Sequence, residues 1–107
     1  DFIYVKDAVR MTCAFLENDS CGIFNVGTGE ASTWKSLAQS VINAAKVPAR
    51  IDFIDMPEDL LGKYQNYTCA ETKRIQEALG VGVTGTQPLG NLVNEYVCDY
   101  LLKGAFR

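Results

Sequence analysis

Histidine is absent from the 107 residues, and the four cysteines, Cys13, Cys21, Cys69 and Cys98, stand apart with no C-x-x-C pair. These absences remove the usual ligand sets of a structural zinc site and the Cys/His nucleophile pair, leaving buried or half-buried thiols as the simplest reading and no metal site expected. The commonest general base is missing too, so acid/base chemistry would fall to carboxylates, lysine or tyrosine. No apolar run approaches the roughly 20 residues that cross a bilayer, and residues 1–20 lack the basic start and apolar middle of a secretory signal. The expectation is a cytoplasmic protein without a membrane partner. Ten basic against thirteen acidic residues give a net charge of −3. No cluster of Lys and Arg interleaved with aromatics is present to neutralise a run of phosphates, so no nucleic-acid partner is expected. Asn66-Tyr67-Thr68 satisfies the glycosylation triplet, which without a signal peptide is read as coincidence.

What is present is a globular composition, 48% hydrophobic and 10% aromatic, enough for one compact domain or a piece of one. Phe2-Ile3-Tyr4-Val5 has the form of an apolar strand. Ala8, Val9, Thr12, Phe15 and Leu16 then repeat at helical spacing, predicting a helix over about 7–17 that Asn18-Asp19-Ser20 breaks. Gly22-Ile23-Phe24-Asn25-Val26-Gly27 is a short, nearly continuous apolar run bounded by glycines, the form of a strand buried in a parallel sheet. Trp34, Leu37, Ala38, Val41, Ile42 and Ala45 fall on one face of a predicted helix over 33–46, which Ser32 or Thr33 can cap and Pro48 stops. Residues 50–55 alternate apolar and polar, as in a strand with one wet face. A short helix over 70–79 closed by Gly80, a glycine-rich loop to Pro88, and a last amphipathic helix from Leu89 to Leu101 complete the chain. Alternating helix and strand predict an α/β fold with an at least partly parallel sheet.

Two places invite a chemical reading. Gly27-Thr28-Gly29 follows a predicted strand and precedes a predicted helix, where free amides could hold a pyrophosphate. The dinucleotide fingerprint requires a third glycine three residues after Gly29, and Ser32 stands there, so a tight turn is the simpler reading and no cofactor-binding residue is assigned. A Tyr-x-x-x-Lys pair, in which Lys lowers a Tyr pKa for acid/base work, is also missing: Tyr100 and Lys103 are three apart, and no catalytic residue is assigned. The second place is the connecting passage Met56 to Thr68, where Lys63-Tyr64-Gln65 sets a cation, a phenol and an amide in succession. Such a trio suits a nucleotide sugar, with the cation near a phosphate and the phenol against a sugar or base. On the residues alone, packing of Tyr64 and Tyr67 beneath the loop is the simpler and preferred reading. Asp55, Glu58 and Asp59 match no calcium loop and read as a solvated acidic patch.

With those residues in view, the chain resembles the C-terminal part of an extended short-chain dehydrogenase/reductase, within the ADP-L-glycero-D-manno-heptose 6-epimerase family. The matching blocks are Asp1 to Val9, Gly22 to Gly29, Ser32-Thr33-Trp34 with its helix, and Ile54-Asp55-Met56-Pro57-Glu58-Asp59-Leu60 running into Gly62-Lys63-Tyr64-Gln65. The first two are shared by many nucleotide-sugar epimerases and dehydratases. The last narrows the resemblance to the heptose epimerases, whose tyrosine in that motif, here Tyr64, contacts the ADP-heptose. Lys63 and Gln65 are its neighbours in the inferred substrate site.

The resemblance implies a fold and a division of labour. Residues 1–30 would be a remnant of the cofactor-binding Rossmann-type sheet, a late helix with an edge strand. Residues 31–107 would form the substrate lobe. The implied reaction inverts C6 of the heptose by transient oxidation with NADP, in a pathway to lipopolysaccharide core precursors. The family's cofactor loop and catalytic Tyr and Lys correspond to nothing in this sequence. The chain is therefore expected to be inactive alone, to bind no cofactor by itself, to lack its N-terminal Rossmann portion and to self-associate as a homo-oligomer. Two alternatives stay open: a non-catalytic binding or assembly module that recruits a partner through the strand edges at 2–5 and 23–26, and a portion of a related epimerase or dehydratase acting on another nucleotide sugar.

Overall fold

A computed structural model of the chain describes residues 1–104. Two compact units are present: Asp1–Ser32 with Cys69–Pro88, and Thr33–Thr68 with Leu89 onward.

In the first unit, α1 (Val5–Ala14) continues into a single 3-10 turn, Phe15–Glu17. The expected periodicity is present, but the covered stripe lies about one residue round from the expected one. Met11 is fully buried, Ala8 and Phe15 are half-buried, and Val5, Val9 and Leu16 line an exposed stripe. Two further helices follow in sequence, α3 (Lys73–Leu79) and α4 (Val81–Thr84), separated by Gly80, whose φ of 79° ends the first and opens the second. Ile75 of α3 is fully buried and Thr84 of α4 nearly so.

The glycine-rich loop expected over 81–88 thus contains a helical turn, held from a distance in sequence. Arg10 of α1 donates to the carbonyls of Val83 and Gly85, the latter at 2.7 Å, and pairs with Asp7 at 2.6 Å. A cation at the C-terminal end of so short a helix supplies partners its last carbonyls cannot find within the turn. Asn18 donates to the Ala78 carbonyl at 2.9 Å. Phe24 lies between the Phe15 ring, at 4.7 Å, and the Arg74 guanidinium, at 5.0 Å.

The second unit is built on α2 (Trp34–Ala45) and α5 (Leu89–Tyr96). Thr33 caps α2 as its sequence predicts, its hydroxyl accepting from the Ser36 amide at 3.0 Å. Lys46 closes the helix in the left-handed region, φ 53°, two residues before Pro48. Ala44, Val93 and Val97 form the core, with Leu37, Ala45, Leu89 and Leu101 packed on it. The expected helix to Leu101 changes form after Tyr96: Val97–Leu101 is a π turn, in which the Leu102 amide reaches back to the Val97 carbonyl at 2.9 Å. Tyr96 and Tyr100 stack at 5.8 Å along it.

The helices of the expected α/β pattern are therefore present, while its strands are not: among the described residues no strand forms. Val5 belongs to α1, whose first turn is closed by the Ala8 amide on the Tyr4 carbonyl at 3.0 Å. Residues 22–27 and 50–55 find no backbone ladder among the described residues, and a strand is defined by that pairing rather than by its side-chain pattern. Ile23 and Ile54 accordingly stay 85% and 87% exposed. The cysteines also depart from expectation: Cys13, Cys21 and Cys69 are exposed and only Cys98 is half-buried, with its thiol 3.8 Å from the Ala44 carbonyl.

Candidate functional site

The segment from Met56 to Thr68 is an open loop with one ordered device. Glu58–Leu60 forms a 3-10 turn after Pro57, and the Leu60 carbonyl accepts from both the Lys63 amide (3.1 Å) and the Tyr64 amide (3.2 Å). Gly62, at φ 73° and with open space on its Cβ side, lets the chain reverse between them. A residue with a side chain would be strained there by its backbone alone, since nothing crowds it. The turn leads into Lys63, Tyr64 and Gln65, all three exposed.

Tyr64 does not pack beneath the loop. The residue is 42% exposed and its hydroxyl oxygen accepts a hydrogen bond from the indole Nε1–H of Trp34 at 2.8 Å. Trp34 is the first residue of α2, immediately after the capping Thr33, so its backbone is held by helix and cap together. Nearby in sequence, the Lys35 ammonium lies 5.8 Å from the centre of the Phe53 ring. The structure thus brings Tyr64 to a helix terminus, and Lys63 and Gln65 adjoin it along the chain. Asp55, Glu58 and Asp59 are exposed, and no group of His, Cys, Asp and Glu able to hold a metal occurs among the described residues.

Sequence reasoning missed two residues. The spacing predicts Trp34 on the apolar face of α2, yet it is 65% exposed and its indole N–H donates to Tyr64. The available signal was chemical: a tryptophan N–H needs an acceptor, and a helix start adjoining a tyrosine-bearing loop is a place to find one. Asp1 is the other. Its carboxylate accepts from the Thr28 amide (3.0 Å) and hydroxyl (2.8 Å), the Gly29 amide (3.0 Å) and the Ala70 amide (3.0 Å). No local pattern links Asp1 to residues 28 and 70, so no sequence signal for this clasp exists.

The clasp also bears on the Gly27-Thr28-Gly29 turn. The Thr28 and Gly29 amides, which a pyrophosphate would need, already point at the Asp1 carboxylate, and α2 begins only at Trp34. A Cβ at Gly27 would overlap that of Ala70 and sit 2.9 Å from an Asp1 oxygen. The turn is a close-packed junction, and these residues do not fit a dinucleotide phosphate.

No protein-family model matches the chain, and no solved structure matches it. Curated relatives do. Over 102 residues, 94% of this chain, it is 46% identical to proteins named ADP-L-glycero-D-manno-heptose-6-epimerase from two strains of Nitratidesulfovibrio vulgaris, DP4 and Hildenborough. Over 111 aligned positions, 96% of this chain, it is 38% identical to the protein of that name from Fusobacterium nucleatum. These epimerases are its homologues. The chain spans about a third of their length, 31% of the first two and 32% of the third.

Proposed function

We propose that the chain is the C-terminal, substrate-binding part of an epimerase of this kind, and that Tyr64, with Lys63 and Gln65 beside it, contacts an ADP-heptose-like nucleotide sugar. The observation that carries this is the Trp34–Tyr64 hydrogen bond at 2.8 Å. It presents a phenol at a fixed place on an otherwise open loop, in the motif that supports the resemblance. A phenol O–H and a neighbouring ammonium offer one donor for a sugar or phosphate oxygen and one counter-charge for phosphate. The N-terminal residues belong, in this reading, with a cofactor-binding sheet, and the rest with a substrate lobe in a soluble, cytoplasmic homo-oligomer.

In the intact family NADP supplies the hydride chemistry at C6. This chain's own residues bind and orient: its Thr28 and Gly29 amides are engaged by Asp1, and it has neither histidine nor a Tyr-x-x-x-Lys pair. The polypeptide alone is accordingly expected to bind substrate weakly and turn over none. An assembly module working through strand edges at 2–5 and 23–26 is the weaker reading, because those segments are not strands. A related sugar-nucleotide epimerase remains the alternative that substrate titration separates.

The test joins this chain to the preceding two-thirds of the Nitratidesulfovibrio relative and compares Tyr64→Phe with Tyr64→Ala. Loss of the hydroxyl should lower kcat/KM for ADP-heptose about fivefold to tenfold, and loss of the ring further, with KM carrying most of the change. Normal kcat and KM in both variants would defeat the assignment of Tyr64.

A further inference from the structure

We propose that Trp34 is a positioning residue for Tyr64: its indole N–H occupies the acceptor side of the phenol and commits the Tyr64 hydroxyl to donating its proton to an acceptor oxygen on the ligand. This rests on the reading of Tyr64 as a substrate contact and adds to it the direction of the hydrogen bond and the residue that sets it.

A tyrosine hydroxyl can both donate and accept, so an exposed one does not by itself discriminate between a ligand's hydroxyls and its bare oxygens. An indole N–H can only donate. At 2.8 Å from Nε1 to the phenol oxygen, the bond leaves the hydroxyl hydrogen directed away from Trp34. Tyr64 then presents a donor, and the ligand atom that suits it is an oxygen that accepts: a phosphate oxygen, a ring or glycosidic oxygen, or a hydroxyl acting as acceptor.

The anchoring is strong for so exposed a pair. Trp34 is fixed at the head of α2 by the Thr33 cap, and Tyr64 by two amides on the Leu60 carbonyl. A donor held before the ligand arrives loses less rotamer freedom on binding than one that must be recruited.

Trp34 is the only tryptophan in the chain, so its indole N–H resonance and emission report on this bond without interference. In the ligand-free polypeptide, Tyr64→Phe should move the indole proton resonance upfield, as a lost hydrogen bond requires. An unmoved resonance overturns the proposal, whatever binds. The second arm measures binding by calorimetry, in the chain joined to the preceding two-thirds of the Nitratidesulfovibrio relative, with ADP, with ADP-mannose and with free mannose, which separate a phosphate oxygen from a sugar oxygen as the partner. Trp34→Phe keeps an aromatic ring at the helix start and removes the N–H donor together with part of the ring area. It should weaken the responding probe by about the same fivefold to tenfold as Tyr64→Phe. The double variant should be no weaker than either single, because both remove one device. If Tyr64→Phe weakens binding and Trp34→Phe does not, the role of Trp34 is refuted and that of Tyr64 stands. If neither ADP-heptose nor any probe gives heat with the unaltered joined protein, the Tyr64 reading itself falls and this inference with it.

Discussion

Removing the Asp1 carboxylate should loosen a specific, predictable set of amides. Four donors converge on it, three backbone amides at 3.0 Å and the Thr28 hydroxyl at 2.8 Å, from parts of the chain 27 to 69 residues away. A hydrogen bond to a charged acceptor contributes roughly 1.5–3 kcal/mol when buried. Asp1 is half-buried, so water can replace part of each bond and the lower end of that range applies to only about two of the four. Asp1→Ala should then lower the free energy of local opening by about 3 kcal/mol, close to a hundredfold in the opening equilibrium at 1.4 kcal/mol per decade. Asp1→Asn keeps one acceptor oxygen without the charge and should cost about half as much, roughly tenfold. Amide hydrogen exchange followed by NMR reads this directly, because Thr28, Gly29 and Ala70 are the residues whose protection should fall. The amides of α2, in the other unit, serve as the internal reference. If Asp1→Ala leaves those three amides within about twofold of their original protection, the clasp contributes nothing and the reasoning is wrong.

Thr33→Ala removes the hydroxyl that caps α2 and should destabilise that helix by about 1 kcal/mol, seen as a lower urea midpoint and faster exchange in residues 34–37; no change in either would show that the cap is idle. Gly27→Ala forces a methyl into the Ala70 side chain and the Asp1 carboxylate and should cost about 1–3 kcal/mol, whereas Gly82→Ala, with nothing near its Cβ, should not; equal effects would mean that the crowding at Gly27 is unimportant. Lys103 is held 2.7 Å from Asp99, and that hydrogen bond and the Asp99 charge raise its pKa above the ordinary 10.5. A pKa raised in the folded state makes the pair's contribution complete below 10.5 and lost as pH rises through the folded value, so an NMR titration should place Lys103 higher in the parent chain than in Asp99→Asn; coincident titrations would contradict the pairing.

The helices were largely legible because their signals are local. Thr33 caps at the predicted place, Gly80 ends α3 as a C-terminal glycine should, and the 3.6-residue period locates α1, α2 and α5. Periodicity gives a stripe, not its neighbour, which is why α1 buries Met11 while Val9 and Leu16 face outward. The strand-like runs could not be decided in the same way. Ile23 to Val26 and Ile51 to Ile54 have strand composition, but a ladder needs a second segment in register, and that information is not in the run itself. The π turn over 97–101 and the helical turn at 81–84 follow from contacts distant in sequence or from backbone geometry, neither of which side-chain patterning encodes.

The site was legible in composition and not in arrangement. A phenol, a cation and an amide on a connecting loop marked Lys63, Tyr64 and Gln65 as candidates, yet the partner that orients Tyr64 lies 30 residues earlier at the start of a helix. The spacing of Trp34 from Leu37 and Val41 fits an apolar face. A residue at the first helical position sits at the edge of that face, where a side chain can turn toward a loop instead.

The division between gripping a sugar and moving a hydride is tested most directly by incubating the purified chain with ADP-heptose and NADP and following the configuration at C6 by NMR. The account predicts that the starting epimer persists unchanged at any protein concentration, while the same chain joined to the preceding two-thirds of a relative equilibrates the two epimers. Interconversion by the 107-residue polypeptide alone would contradict it.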